Sequence, residues 1–189
     1  MLILPIRGLC IDDRAVWRVS NVGFEALANL RPDSTMQYRL PRDLREWVTT
    51  GSLIAWLEED VQQLSHDRSE LRPCSSGSAA FPAGTMLCLL AFAYVTQVFS
   101  SQEIVCSCYS DVAFRLLCGG PPPFRHELIR FRRRNRDLLA AVLETVFLRS
   151  LRYTFAPSDL PTEPGLHRRL RDCAMERLNI ARHVDTCDD

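Results

Sequence analysis

The chain has 189 residues, which is enough for one domain with a hydrophobic core, and its hydrophobic content of 47% excludes wholesale disorder. Its formal net charge is zero, so net charge alone indicates no partner, but the charge is unevenly distributed. Residues 43–70, which we call the acidic front, carry seven acids and two arginines, whereas residues 115–152 carry nine arginines and three acids.

The eight cysteines and four histidines do not have the spacing of a metal site. Cys106-Ser107-Cys108 is a lone C-x-C motif, with no C-x-x-C motif or paired histidines nearby. We therefore expect structural thiols in a reducing cytoplasm, no metal and no cofactor. The longest apolar run, Met86 to Val95, is about half of what a bilayer requires, and the opening MLILPI is too short for a secretory signal. These features predict a cytoplasmic protein that does not enter a membrane.

The first part of the chain is weakly patterned, and residues 1–35 are predicted to form an N-terminal extension. Apolar residues at helical spacing then predict a short helix with one buried face, formed by Leu40, Leu44, Trp47 and Val48. Ser52 is predicted to cap a second helix. The outer side of this second helix is predicted to be a solvated acidic face, formed by Glu58, Glu59 and Asp60.

The middle of the chain is predicted to hold three further helices. Residues 67–82 contain Pro and Gly without periodicity and are predicted to form a loop. Residues 85–99 are apolar nearly all round, which is typical of a central buried helix. Ser100 to Glu103 has the pattern of a capping box for a short helix. Ser110 is predicted to cap another short helix, which Gly119-Gly120 ends.

A long helix is predicted from about residue 124 to residue 149, and no alternating pattern of useful length predicts a strand. One face of this helix collects the apolar side chains of Leu128, Phe131, Leu138, Leu139, Val142 and Val146. A polar helix is predicted from about residue 166 to residue 180. The sequence therefore predicts an all-α fold, a helical bundle at residues 36–150, with a Pro-rich linker and a polar C-terminal helix at residues 151–189.

The first half of the long helix carries six arginines: Arg125, Arg130, Arg132, Arg133, Arg134 and Arg136. At about 100° per residue, one flank of the apolar face carries Arg125, Arg132 and Arg136. The other flank carries Arg130 and Arg134, and Arg133 points away. Two short helices, a Gly-Pro turn and a basic helix resemble a helix-turn-helix unit, which places such a helix in the major groove of double-stranded DNA. Arginine suits this role because its fork holds a phosphate or a guanine edge with two hydrogen bonds. RNA binding, and a basic helix that is merely solvated or paired with the acidic front, remain alternative interpretations.

Several sequence blocks between about residues 36 and 150 follow the pattern of one protein family. The blocks are Leu40-Pro41-x-x-Leu44-Arg45-Glu46-Trp47, Leu89-Leu90-Ala91-Phe92-Ala93-Tyr94, Tyr109-Ser110-Asp111-Val112-Ala113-Phe114-Arg115-x-Leu117, Gly119-Gly120, Pro123 and Phe131-Arg132-Arg133-Arg134. Together they resemble the N-terminal domain of bacterial insertion-sequence transposases of the DDE class. The resemblance implies a domain that binds the terminal inverted repeats of a mobile element.

The resemblance does not extend to the catalytic part of those transposases, an RNase H-like domain with three metal-binding carboxylates. Asp159, Asp172 and Asp185 lack the apolar surroundings of the family's first catalytic Asp, and without three carboxylates metal-assisted phosphoryl transfer has no site. The resemblance therefore implies a truncated, non-catalytic transposase. The family's Asp after the proline is Phe124 here, which removes a helix cap, and its Thr is Glu127, which would repel phosphate.

The sequence supports two hypotheses about function, and a degenerate reading frame with no selected function is a third interpretation. The first is a DNA-binding domain that contacts double-stranded DNA, at terminal inverted repeats, through the six arginines. The alternative is a protein–protein interaction module, whose complementary charged faces join two copies of the chain or join the chain to a full-length transposase. Neither hypothesis assigns an enzymatic activity to the chain.

Overall fold

The computed structural model describes residues 40–67, 81–155 and 165–187. In this part of the chain a 3-10 helix (Leu44–Glu46) and seven α-helices occur, and there is no strand. The α-helices are α1 (Thr50–Asp67), α2 (Ala83–Val95), α3 (Ser101–Ser110), α4 (Val112–Cys118), α5 (Arg125–Arg134), α6 (Arg136–Thr154) and α7 (Leu166–Cys187). The predicted all-α fold is confirmed. The predicted N-terminal extension, most of the predicted loop and the predicted Pro-rich linker lie outside the described residues.

The core is built around α2, in which residues 86–95 are all buried. A helix that is apolar on every side has no solvent face, and α2 accordingly packs against α1, α4, α5, α6 and α7. The predicted central helix is confirmed, although it ends at Val95 because Thr96 Oγ1 donates to the carbonyl of Phe92 (2.9 Å) and Gln97 adopts a φ of 68°. Among the described helices none is both long and apolar enough to cross a membrane.

The N-terminal end of the described chain starts with the 3-10 helix and then α1. Of the four residues predicted to form a buried face, Leu44 and Val48 are buried, whereas Leu40 and Trp47 are only half-buried. The predicted cap of α1 is wrong by one turn, because Thr49 Oγ1 accepts a hydrogen bond from the N–H of Ser52 (3.3 Å) and Ser52 lies inside the helix. The inner side of α1 packs on α2 and α6.

Helix α4 is short, and its two ends are fixed by its own sequence. Its N-cap is Asp111, whose Oδ1 accepts hydrogen bonds from the N–H groups of Ala113 (2.7 Å) and Phe114 (3.3 Å). The predicted cap, Ser110, is instead the last residue of α3. Gly119 ends α4 as predicted, in a left-handed conformation with φ 63°, which glycine adopts without steric cost.

The predicted long helix is in fact two helices, because the chain breaks at Asn135 between α5 and α6. Asn135 has φ −116° and ψ 27°, and its side-chain amide donates to the carbonyl of Phe131 one turn earlier (3.1 Å). Asparagine competes with the backbone for hydrogen bonds in this way and so favours helix ends. The prediction of a continuous helix is therefore wrong, but its apolar face is confirmed. The buried side chains are Leu128, Phe131, Leu138, Leu139, Val142 and Val146.

The C-terminal helix α7 is longer than the sequence predicts, since it continues to Cys187 instead of ending near residue 180. It packs along α6 and also contacts α2. Most of its circumference is polar, so its sequence indicates a polar helix, but one narrow stripe is buried. The buried residues of this stripe are Leu170, Ala174, Leu178, Ala181 and Asp185.

Arg177 attaches α7 to the C-terminal end of α2. Its guanidinium donates to the carbonyl of Tyr94 at 2.6 Å and to that of Pro41 at 3.0 Å, and it lies over the ring of Phe147 at 5.0 Å. Burial lowers the pKa of Arg177 to about 10. Carbonyls at a helix C-terminus carry partial negative charge, so this contact satisfies groups that the helix leaves unpaired.

Candidate nucleic-acid interface

Helix α5 presents three arginines to solvent on the face opposite its buried side. Arg130, Arg133 and Arg134 are exposed. Arg125 and Arg136, at the N-terminal end of α5 and the first residue of α6, are half-buried. In the described residues Arg133 and Arg134 form no ion pair. Arg133 and Arg134 therefore offer their guanidinium groups to a ligand rather than to neighbouring carboxylates of the described residues.

Arg132, in contrast, lies inside the fold. It is 4% exposed and forms an ion pair with the buried carboxylate of Asp185, and its Nη1 donates to the hydroxyl of Tyr94 at 3.2 Å. Its position explains this burial, because Leu128, Phe131, Arg132 and Asn135 share one helical face and all four are buried. The structure thus places Arg132 apart from the other five arginines of the predicted DNA-binding set.

The carboxylate of Asp185 joins three helices. Besides Arg132 on α5, it accepts two hydrogen bonds from Ser101 at the first turn of α3, from the backbone N–H to Oδ1 (2.8 Å) and from Oγ to Oδ2 (2.6 Å). Ser100, the predicted side-chain cap of α3, is the N-cap residue but makes no capping hydrogen bond with its side chain. A carboxylate from α7 therefore supplies the cap, where it also meets the positive end of the helix dipole.

The pKa values in this cluster follow from its burial and its contacts. Burial raises the pKa of Tyr94 to about 12, against the opposing effect of Arg132. Burial alone would lower the pKa of Arg132, but its contacts with Tyr94 and Asp185 outweigh burial and raise it. Tyr94 is therefore neutral and Arg132 charged at physiological pH. The cluster consists of one buried cation, one buried carboxylate and neutral hydroxyl groups that hydrogen-bond to them.

Two more arginines of the predicted set reach the same helix. Arg136 Nη2 donates to Oδ1 of Asn179 at 2.6 Å, and Arg125 Nη2 donates to the backbone carbonyl of Asp185 at 3.4 Å. Together with Arg132, these residues were predicted to share one flank, and that grouping is confirmed because all three contact α7. The flank faces a packed helix instead of open solvent.

The N-terminal end of α5 is capped by its own side chain. Glu127 Oε2 accepts a hydrogen bond from the backbone N–H of Phe124 at 2.9 Å. This contact is the half of a capping box that Glu127 supplies, whereas Phe124 makes no side-chain cap, and it engages the acid that was predicted to repel phosphate. The ring of Phe124 is exposed and stacks on His126, with ring centroids 5.6 Å apart.

The acidic front is partly neutralised within the chain. Arg149 on α6 donates to Glu59 at 2.8 Å and to Asp60 at 2.9 Å, and it lies over the ring of Trp56 at 5.0 Å. The prediction that Asp60 lies on a solvated face is wrong, because this residue is 4% exposed. Burial raises the pKa of Asp60, and the contact with Arg149 opposes that rise.

Sequence reasoning did not identify Tyr94, Ser101, Asn179 or Asp185 as partners of the basic helix. One sequence signal could have indicated the burial of Asp185, because this residue continues the buried stripe of α7 at helical spacing. In the described residues no group of three or more His, Cys, Asp or Glu side chains is placed to hold a metal ion.

The sequence matches the family described as Transposase domain (DUF772) over residues 25–134, which is more than half of the chain. The matched range ends at the last residue of α5. Comparison with curated proteins and comparison with solved structures each found no match.

Proposed function

This chain belongs to the Transposase domain (DUF772) family, and we propose that it serves transposition by binding double-stranded DNA at the terminal inverted repeats of a mobile element. The observation that carries the proposal is the exposed face of α5, where Arg130, Arg133 and Arg134 lie side by side. Guanidinium groups bind phosphates and guanine edges with paired hydrogen bonds. The two helices before α5 and the turn at Gly119 support a helix-turn-helix type of docking, with α5 in the major groove.

The proposal uses five of the six predicted arginines. In this proposal Arg125 and Arg136, which are half-buried and hydrogen-bond to α7, contact the DNA backbone at the edge of the exposed face, whereas the buried Arg132 holds α5 in position from inside. A binding surface supported by packed helices keeps its side chains in fixed directions, which favours affinity because less freedom is lost on binding. In this proposal the chain binds without cutting, so it would compete with a complete transposase for the same DNA ends.

The test is a binding titration with labelled duplexes taken from the DNA that flanks the gene, at about 50 and 200 mM salt. We expect a Kd near or below about 10⁻⁸ M for one repeated end sequence at the lower salt. Replacing Arg133 and Arg134 together by alanine should weaken binding and reduce the slope of log K against log salt by about two, because each phosphate contact releases about one counterion.

The matched control replaces Arg152 and Arg168 by alanine. Both are exposed, and the double variant loses the same two charges away from α5. If the control weakens binding as much as the α5 variant does, net charge rather than the α5 surface determines affinity. Weak binding of the wild type to every duplex would contradict recognition of element ends.

A second candidate function, the protein–protein interaction module, is favoured by an exposed apolar patch. Tyr109, Val112 and Leu116 are 69%, 79% and 68% exposed and line one shallow depression with Pro121 and Pro122. Complementary charged faces support this function less, because part of the acidic front is already paired within the chain. Sedimentation distinguishes association through the apolar patch from association through charged faces. An apolar contact persists in about 1 M salt, whereas a charged contact between exposed groups dissociates.

A further inference from the structure

Side-chain contacts join the C-terminal half of α7 to α5 and to the first residue of α6. Asn179 accepts a hydrogen bond from Arg136 at 2.6 Å, beyond one end of α5. Six residues later, Asp185 pairs with Arg132, and its carbonyl accepts a hydrogen bond from Arg125 at 3.4 Å. These contacts define which flank of α7 faces the basic helix.

Arg182 lies between these two groups of contacts. It follows Asn179 by three residues and precedes Asp185 by three, so it lies about one turn from each on neighbouring positions of the helix surface. It is exposed, and in the described part of the chain it forms no ion pair. Of the residues one turn from Arg182, Asn179 and Thr186 are uncharged, and the carboxylate of Asp185 is paired with Arg132. Arg182 is therefore a guanidinium at the seam between α5 and α7 that is available to an anion.

We propose that Arg182 is a DNA-contacting residue and that the DNA-binding surface extends from α5 across this seam onto α7. The inference rests on the proposed function, and it adds a second helix, outside the residues that match the family, to the same interface. The partner at Arg182 is the phosphate backbone, because a single arginine on a separate helix provides charge and a hydrogen-bonding fork next to the α5 face.

The rigidity of α7 supports this assignment. The stripe from Leu170 to Asp185 is buried, and Asp185 is fixed to both α3 and α5, so the backbone that carries Arg182 cannot move independently of α5. A duplex that contacts Arg133 and Arg136 would meet Arg182 without a rearrangement of the helices. Contacts that are placed in advance in this way cost less conformational entropy on binding.

The test compares Arg182→Ala with Arg152→Ala, each of which removes one exposed arginine. Binding is measured by fluorescence anisotropy with a labelled duplex of about 30 base pairs, three helical turns, between about 50 and 200 mM salt. We expect Arg182→Ala to weaken binding about five- to tenfold and to lower the salt slope by about one, as for loss of one phosphate contact. Arg152→Ala should stay within about twofold of the wild type, and Arg182→Lys should recover most of the affinity, because a phosphate accepts a point charge.

The outcomes separate this inference from the function on which it rests. If the wild type does not bind the duplex, the proposed function fails and the inference fails with it. If the wild type binds and Arg133→Ala/Arg134→Ala weakens binding, but Arg182→Ala equals Arg152→Ala, the inference is overturned and the proposed function stands. A loss in Arg182→Ala that Arg182→Lys does not recover also overturns it, because a backbone contact depends on the charge.

Discussion

At the scale of single residues, the carboxylate of Asp185 combines contacts that are ordinarily made by separate groups. It neutralises Arg132 and accepts two hydrogen bonds from Ser101. The one from the backbone N–H caps α3, although Asp185 lies far away in the sequence. Burying an ion pair costs desolvation energy, so such a pair adds little net stability compared with apolar residues of similar shape. Removing only one partner is different, because it leaves an uncompensated charge in the interior.

This asymmetry gives a prediction for Asp185→Asn. We expect it to lower the free energy of unfolding by about 3–5 kcal/mol, because the charge of Arg132 stays buried without a counter-ion. The double variant Arg132→Met/Asp185→Leu should lose less than the single variant, since neither charge remains. Urea denaturation followed by circular dichroism measures both, with exposed Asp172→Asn as a control that should stay within about 0.5 kcal/mol of the wild type. A double variant that is less stable than Asp185→Asn would contradict this account.

At the scale of elements, two short connections determine how the basic helix is presented. The break at Asn135 separates α5 from the apolar α6, so the two helices need not share an axis. On the other side, Gly119 stops α4 and allows the chain to turn through the prolines toward α5. Neither connection depends on a long-range contact for its local geometry.

The turn at Gly119 provides a stability test with an internal control. Gly119→Ala should lower the free energy of unfolding by about 1–2 kcal/mol, because an L-residue at φ 63° brings its Cβ close to the following carbonyl oxygen. A Cβ at Gly119 or at Gly120 would meet no atom of a non-neighbouring residue within 4 Å. The φ of Gly120 is not positive, so Gly120→Ala should change stability by less than about 0.5 kcal/mol. Thermal unfolding of the two variants measures the difference. Equal losses would show that the backbone conformation of Gly119 is not the cause.

At the scale of the whole molecule, ion pairs join the acidic front to the arginine-rich residues 115–152. Arg149 on α6 reaches Glu59 and Asp60 on α1 and stacks on Trp56. This pairing brings opposite charges that are far apart in the sequence together in the fold. Arg130, Arg133 and Arg134 of α5 stay exposed. Helix α7 contributes in the same way from the other end, because it supplies the carboxylate for Arg132.

The two acids that face Arg149 should differ in their contribution to the free energy of unfolding. Arg149→Met should lower the free energy of unfolding by about 2–3 kcal/mol, because the carboxylate of Asp60, 5% exposed, loses its counter-ion. Glu59→Gln should cost less than about 1 kcal/mol, because the Glu59 side chain is 59% exposed and solvent screens its charge. Chemical denaturation of both variants gives the comparison. A larger loss for Glu59→Gln than for Arg149→Met would exclude Asp60 as the main partner.

Much of this fold could be predicted from local patterns, and the remainder depends on pairs that are distant in sequence. The continuous apolar character of α2 and the helical spacing of Leu128, Phe131 and Val142 predict their burial correctly. The buried position of Arg132 was missed because an arginine is ordinarily exposed, although its spacing from Leu128 places it on the core face. Its partner Asp185 lies on another helix, so no local pattern could pair the two. The break at Asn135 was missed because asparagine is only a weak helix breaker by propensity.

The distance along the chain between Arg132 and Asp185, 53 residues, also has a consequence for protein synthesis. The ribosome releases α5 well before α7, so the nascent chain carries an arginine whose interior position still lacks its carboxylate. Docking α5 onto the core at that stage would bury an unpaired charge, which is strongly unfavourable. We therefore expect the basic helix to dock onto the core only when α7 is available, so that the exposed arginines acquire their fixed arrangement after α7 has been translated.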